Sequence, residues 1–251
     1  MNVGVYQGAA SLSALERWQE IISQNIASAS VSGFKKTEAS FASVIGETER
    51  FGGEGRSSKE SRGVMPSTVL EISMRQGELR STGSELDFAI QGSGFFQVQR
   101  PNGELGYTRN GEFQLSPERT LVTKQGFPVM GDSGPLTLKA GGGRLSINAE
   151  GTLLQGDTPV AKIGVYDFRE PQSLQRVGDG LLAPADQNAQ PQTVERPSVL
   201  GGHLESSNVS PLHEMVNLVS ISRAYEASQR VIFAHDENTG KAIETLGNPN
   251  P

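Results

Sequence analysis

The sequence predicts a mainly β protein with helical termini. An N-terminal and a C-terminal helix pair as a coiled-coil-like domain, and an all-β middle domain of short strands lies between them in the chain. Three observations carry this prediction. Near both ends apolar residues recur at steps of three or four, the signature of one helical face. Between about residues 86 and 168 the period falls to two, the signature of strands. The 251 residues include 30 glycines and 13 prolines but only 35% hydrophobic residues, a balance that favours turns and extended segments over a thick core.

Each element follows in order. Val5, Ala9, Leu12, Leu15, Trp18, Ile22, Ile26 and Ala29 fall on one face of a first helix, with Glu16, Arg17, Glu20 and Ser23 elsewhere. No proline interrupts this run, and Gly33 stands where a helix can end. Residues 37–75 read as an extended connector. Within them, residues 46–63 (GETERFGGEGRSSKESRG) are charged, glycine-rich and almost without large apolar side chains. In the middle, FFQVQRPNGELGYTRNGEFQLS reads as two hairpins in series. Phe96 and Val98 alternate with Gln97 and Gln99, Asn102-Gly103 forms one turn, and Asn110-Gly111 forms a second that accepts positive φ. Further short strands are expected at 121–123, 128–130, 136–138, 145–147, 152–155 and 160–168, and the chain loosens after Pro191. From Pro211 it becomes helical again. Leu212, Met215, Leu218, Val219, Ser222, Tyr225, Ile232, His235, Ile243 and Leu246 lie near one face, Asn208 or Ser210 is placed to cap the start, and Pro211 suits the first turn. The domains so drawn are 1–36 and 206–251 for the two helices, 37–75 for the connector and 76–205 for the β body.

Composition excludes several functions. The net charge of −6, with no basic face along the chain, argues against nucleic acid. The absence of cysteine excludes disulfides, thiolate metal sites and cysteine nucleophiles. No run is long and apolar enough to insert in a membrane, and the first residues lack the basic start and apolar stretch of a cleaved signal peptide. His203, His213 and His235 have no metal-binding spacing, GSGFFQ lacks the third glycine of a dinucleotide loop, and no nucleophile elbow occurs. No catalytic residue, cofactor or metal is therefore expected. The aromatic series Phe88, Phe95, Phe96, Tyr107, Phe113 and Phe127 reads as core. A carbohydrate-binding β module with helical appendages and a hydrolase remain as alternatives.

Three motifs then carry a resemblance. ISQNIASASVSGFKK, residues 22–36, is similar to the pattern I-S-N-N-I-A-N-x-x-T-x-G-F-K of bacterial flagellar axial proteins. SNVSPLHEMVNLVSISRAYEASQRVI, residues 207–232, resembles its C-terminal counterpart, and LDFAIQGSGFFQVQRPNGELGYTRNGEFQL, residues 86–115, resembles the shared body of rod and hook subunits. Gln24, Ser28 and Val31 depart from the pattern. The chain is thereby identified as a member of the flagellar basal-body rod family. PVMGDSGPLTL and DENTGKA favour the proximal-rod type, with the distal type as alternative.

The resemblance implies a structural subunit that polymerises into the helical drive shaft transmitting torque for motility. It implies a place in the basal-body rod crossing the periplasm, reached through the flagellar export apparatus without a cleaved signal peptide. The implied partners are copies of the chain and other rod subunits. The residues expected to pack helices and subunits are Leu12, Leu15, Trp18, Ile22, Asn25, Ile26, Gly33, Phe34, Asn208, Met215, Leu218, Val219, Tyr225, Ile232, Ile243 and Leu246. Lys35 and Lys36 are expected to favour the negative end of the first helix.

Overall fold

A computed structural model of the chain describes residues 3–45, 64–141, 143–148, 150–186 and 189–247. The charged stretch 46–63, expected to be an extended or flexible connector, lies outside the described residues. The chain divides into two units, Met1–Ile26 with Thr37–Glu71 and Pro211–Pro251, and Ala27–Lys36 with Ile72–Ser210.

The first unit holds two helices, α1 (Val3–Ala27) and α2 (Pro211–Gly247), and a ribbon of two strands, Thr37–Ile45 and Val64–Ile72. The helices run antiparallel. The Tyr225 hydroxyl donates to Glu16 Oε1 at 2.9 Å, and a Cβ at Gly8 would fall 2.8 Å from Ile232 Cγ1, so the glycine admits the isoleucine.

The expected coiled-coil-like pairing is not what forms. The helices meet at Tyr225–Glu16 and Gly8–Ile232, and one shared stripe does not account for the apolar residues of α2. In α2 the apolar residues divide between two opposite faces. Leu218, Ile221, Tyr225 and Ile232 are buried or half-buried, whereas Leu212, Met215, Val216 and Val219 are exposed. The sequence pattern merged these into one stripe because steps of three and four also describe the second face. Mainly β with helical termini holds; the coiled-coil-like pairing does not.

The second unit is built on a six-stranded antiparallel sheet. Its order is Leu174–Gly178, Leu181–Pro184, Leu105–Thr108, Phe95–Gln99, Val165–Asp167 and Gln192–Thr193. Both faces of this sheet are covered. Phe96 and Val98 enter the larger core with Phe88, Phe113, Leu121, Val129, Leu153 and Ile163. Phe95, one residue away and so on the opposite face, joins a smaller core with Ile72, Tyr107, Phe168, Leu174 and Leu182. Gln97 is therefore buried too, and its Nε2 donates to the Tyr107 hydroxyl at 3.1 Å. The expected alternation of apolar-in and polar-out assumed one wet face, and the second core removes it.

The first expected hairpin forms, with Phe96 opposite Thr108 and Gln99 opposite Leu105 across a turn in which Gly103 has φ +84°. The second does not. Phe113–Leu115 pairs with Leu121–Thr123 instead of returning along Leu105–Thr108. Gly111 sits beneath the backbone of Phe88, whose N–H donates to the Gly111 carbonyl at 3.0 Å, and a Cβ there would overlap the Phe88 carbonyl oxygen. That glycine is required for close approach, not for a turn. The loosening expected after Pro191 is also corrected. Ser198–Gly201 pairs with Phe88–Gln91, and His203–Glu205 pairs with Leu79–Ser81.

Candidate functional site

α1 stops at Ala27, and a turn follows in which Val31 N–H donates to the Ser28 carbonyl at 3.1 Å and Phe34 N–H to that of Val31 at 3.3 Å. Residues 33–36 then enter the second unit as an extended stem. Gly33 N–H donates to the Glu205 carbonyl at 2.7 Å, Asn208 N–H to that of Phe34 at 3.2 Å, and Ser73 N–H to that of Lys36 at 2.9 Å. The stem is thus bonded both to the segment carrying Ser73 and to the segment carrying Glu205 and Asn208.

Beneath the stem lies a buried charge cluster. Lys35, Glu205 and Arg109 are 3%, 1% and 6% exposed, so none of them can rely on bulk water. Lys35 Nζ is 2.5 Å from Glu205 Oε1 and donates to the Arg75 carbonyl at 2.8 Å. Arg109 Nη1 donates to Glu205 Oε2 at 3.1 Å, and its Nη2 donates to the Gly92 carbonyl at 2.5 Å. Gly77 N–H completes the carboxylate shell at 2.9 Å. Two cations therefore share one carboxylate, and carbonyl dipoles stabilise the remaining positive charge. Burial holds the Lys35 ammonium below the usual lysine range, against the raising pull of Glu205.

The stem is closed from above by Arg176. Its guanidinium carbon lies 4.2 Å from the centroid of the Phe34 ring, and Nη2 donates to the Lys35 carbonyl. Phe34 is buried, so the aromatic anchor and the ion cluster hold successive residues on the two sides of the stem.

Two asparagines hold the backbone on either side. In the second unit, Asn208 Oδ1 accepts from Lys36 N–H at 2.7 Å, and Nδ2 donates to the carbonyls of Ser73 at 2.9 Å and Arg75 at 3.0 Å. In the first unit, Asn25 Nδ2 donates to the Thr37 carbonyl at 2.9 Å while Oδ1 accepts Thr37 N–H at 3.0 Å. A carboxamide matches a peptide in donor and acceptor spacing, so each side chain acts as a strand partner. Replacing Asn208 by Ala removes three such bonds at a half-buried site, with an expected cost of about 1–3 kcal/mol. Native-state hydrogen exchange should read this as at least tenfold faster exchange of the Lys36 amide. Unchanged protection there would show that the clamp is dispensable.

The structure distributes the expected packing residues between the two units. Gly33, Phe34 and Asn208 come together at the stem in the second unit, and Asn208 serves as a clamp there. In α1, Ile22 and Asn25 are buried, while Leu12, Leu15, Trp18 and Ile26 are half-buried. In α2, Leu218, Tyr225 and Ile232 are half-buried, Met215 and Val219 are exposed, and the side chains of Ile243 and Leu246 lie outside the described residues.

Lys35 does not serve the negative end of α1, as its sequence position suggested, because its ammonium is committed to Glu205 and Arg75. The cluster residues Glu205 and Arg109 and the stacked Arg176 were not legible as a site. Lys35 and Glu205 are 170 positions apart, and no local pattern links them. The available signal was weaker: Arg109 follows a strand phase that is otherwise buried. Among the described residues, no group of three His, Asp or Glu is placed to hold a metal.

Comparison with known proteins adds the context. Residues 89–155 match the family model of the flagellar hook protein FlgE/F/G D1 domain, and residues 200–245 match that of the flagellar basal body rod FlgEFG protein C-terminal region. The chain is 34% identical to the flagellar basal-body rod protein FlgF of Rhizobium meliloti (strain 1021), over 98% of this chain and 99% of that protein. It is 33% identical to FlgF of Caulobacter vibrioides over the full length of both. It is 32% identical to the flagellar basal-body rod protein FlgG of Buchnera aphidicola subsp. Acyrthosiphon pisum, over 86% of this chain and 89% of that protein. Arg109 lies in the first matched region and Glu205 and Asn208 in the second, whereas Lys35 lies outside both.

Proposed function

The chain belongs to the flagellar basal-body rod proteins, and from that membership we propose that it builds the proximal, FlgF-like part of the rod. It is a structural subunit of the basal body that assembles with other rod subunits. In the proposed mechanism it reaches the rod through the flagellar export apparatus, crosses the periplasm as part of a helical shaft, and acts by transmitting torque, not by catalysis. The observation that carries the proximal assignment is the extent of similarity. The FlgF relatives match 98% and 100% of this chain, whereas the FlgG relative matches 86%.

The stem supports this mechanical role. A torque-bearing subunit needs the chain leaving α1 to be fixed to the body. The buried Lys35–Glu205–Arg109 cluster, the Arg176–Phe34 stack and the Asn208 clamp hold the stem to the body. The expected packing residues of α1 and α2 would then act in assembly. Clean deletion of the gene followed by electron microscopy of isolated basal bodies tests the assignment. Rods arrested short of the distal segment, with lost motility, are expected. Full-length rods and normal swimming would overturn it.

A further inference from the structure

The tripeptide Asn-Gly-Glu occurs twice in the second unit, at residues 102–104 and 110–112. An Asn-Gly step can react with itself, because a glycine nitrogen is unhindered by any side chain and lies within reach of the preceding carboxamide. The two copies present the same electrophile. Asn102 Oδ1 accepts the Glu104 N–H at 3.1 Å, and Asn110 Oδ1 accepts the Glu112 N–H at 3.0 Å. In each copy a donor already sits on the oxygen that turns negative when the carboxamide carbon is attacked.

The copies differ at the nucleophile. Gly103 is exposed at the tip of its hairpin, with nothing within 4 Å of its Cβ position. Its N–H donates to the Arg100 carbonyl at 2.9 Å, a turn bond that water can replace when the tip opens. Asn102 Nδ2 donates to Glu104 Oε2 at 2.7 Å, and that carboxylate also pairs with Arg100 Nη1 at 2.8 Å. Asn102 and Glu104 are both exposed, so these bonds exchange readily with water. Gly111 is buried instead. Its carbonyl accepts the Phe88 N–H at 3.0 Å, and a Cβ there would fall 1.6 Å from the Phe88 carbonyl oxygen. Closing a ring at Gly111 must first lift that backbone off Phe88, a residue of the larger core, and so requires local unfolding.

We propose that Asn102 is a self-modifying site of the folded chain, and that the fold protects Asn110 in the same tripeptide. The Gly103 nitrogen gives its proton to hydroxide and bonds to Asn102 Cγ. The Cγ–Nδ2 bond breaks, and Nδ2 leaves as ammonia with a proton from water, which regenerates the hydroxide. Water then opens the five-membered imide at either carbonyl, giving aspartate or isoaspartate. Either product sets a second carboxylate beside Glu104 and removes the amide that donated to it, so two carboxylates compete for Arg100. Isoaspartate also adds a backbone methylene to the turn joining Phe95–Gln99 to Leu105–Thr108, neighbouring strands of the six-stranded sheet.

Incubation of the purified full chain in mildly alkaline buffer, followed by peptide mapping in acid, tests this. The mass gain of amide-to-acid conversion should appear at Asn102 at least tenfold faster than at Asn110, with isoaspartate among the products. Because hydroxide takes the Gly103 proton, the Asn102 rate should rise with pH. In the chain held unfolded in guanidinium chloride, the two rates should agree within a few-fold. Comparable rates at the two asparagines of the folded chain, whether fast or slow, would overturn the proposal. So would a contrast that survives unfolding, since the fold would then not be its source. Asn102→Gln supplies the control, because its longer side chain must close a larger ring. That variant should unfold at the wild-type temperature and show no early gain in this peptide. A gain that persisted in it would place the reaction at another residue and would also overturn the proposal.

Discussion

Replacing Glu205 by Gln lowers the thermal unfolding midpoint of the β body by roughly 10 °C. The carboxylate is shared by Lys35 Nζ at 2.5 Å, Arg109 Nη1 at 3.1 Å and Gly77 N–H at 2.9 Å, and it is 1% exposed. The amide keeps the shape but carries no charge, and it turns a donor toward one of the two cations. Removing one member of a buried ion cluster costs about 3–5 kcal/mol, because the remaining charges stay buried without compensation. In a unit of this size each kcal/mol moves the midpoint by about 2–4 °C. The measurement is near-UV circular dichroism, to which Tyr107 and Tyr166 in the body contribute. A shift below about 2 °C would mean that the cluster contributes little to folding.

A cycle separates the cluster from simple loss of packing. In Lys35→Met/Glu205→Gln one cation has been removed along with the carboxylate. The double variant should therefore lose less than the sum of the single losses. Additive losses would show that Lys35 and Glu205 stabilise the body independently. The cluster also need not be more stable than an apolar replacement, since burial already depresses the Lys35 pKa despite the adjacent carboxylate. Among the described residues, the buried carboxylate that Lys35 pairs with is that of Glu205.

Much of the fold was legible because it is local. The start of α2 at Pro211 and the Asn102-Gly103 hairpin depend on neighbours within a few positions. The strands at 145–147 and 152–155 also followed from period and turn residues. What was not legible depends on distant partners. Gln97 reads as a solvent-facing strand residue until the second core covers that face. Glu205 reads as a polar strand end until Lys35 and Arg109 arrive from 170 and 96 positions away. The two faces of α2 were conflated for a related reason: periodicity shows that residues share a side, but not whether anything lies against it. The motif SGFKK was conspicuous in sequence, yet its charge chemistry could be assigned only once the third partner was in place.

Gly33→Ala is expected to be as damaging as the loss of Glu205, through sterics instead of charge. Gly33 has φ +68°, a left-handed conformation that costs an L side chain about 1–3 kcal/mol. A Cβ there would also overlap the Arg109 carbonyl carbon and the Asn110 nitrogen, and lie 2.5 Å from the Arg109 carbonyl oxygen. These are backbone atoms of the strand end that carries the cluster's arginine, so no rotamer change relieves the overlap. The stem must move outward, and the Gly33 N–H to Glu205 carbonyl bond of 2.7 Å moves with it. Overpacking of this kind adds about 1–3 kcal/mol. Gly83 provides the comparison, since it has φ +72° but nothing within 4 Å of its Cβ position. Gly83→Ala should therefore show only the conformational cost. In parallel thermal unfolding experiments, Gly33→Ala should fall below Gly83→Ala by several degrees. Hydrogen exchange should also show faster exchange at the Gly33 amide and at the Asn208 amide that bonds Phe34. Equal midpoints for the two variants would mean that the stem can shift away from Arg109 at little cost, and would remove the steric basis for its fixed position in the second unit.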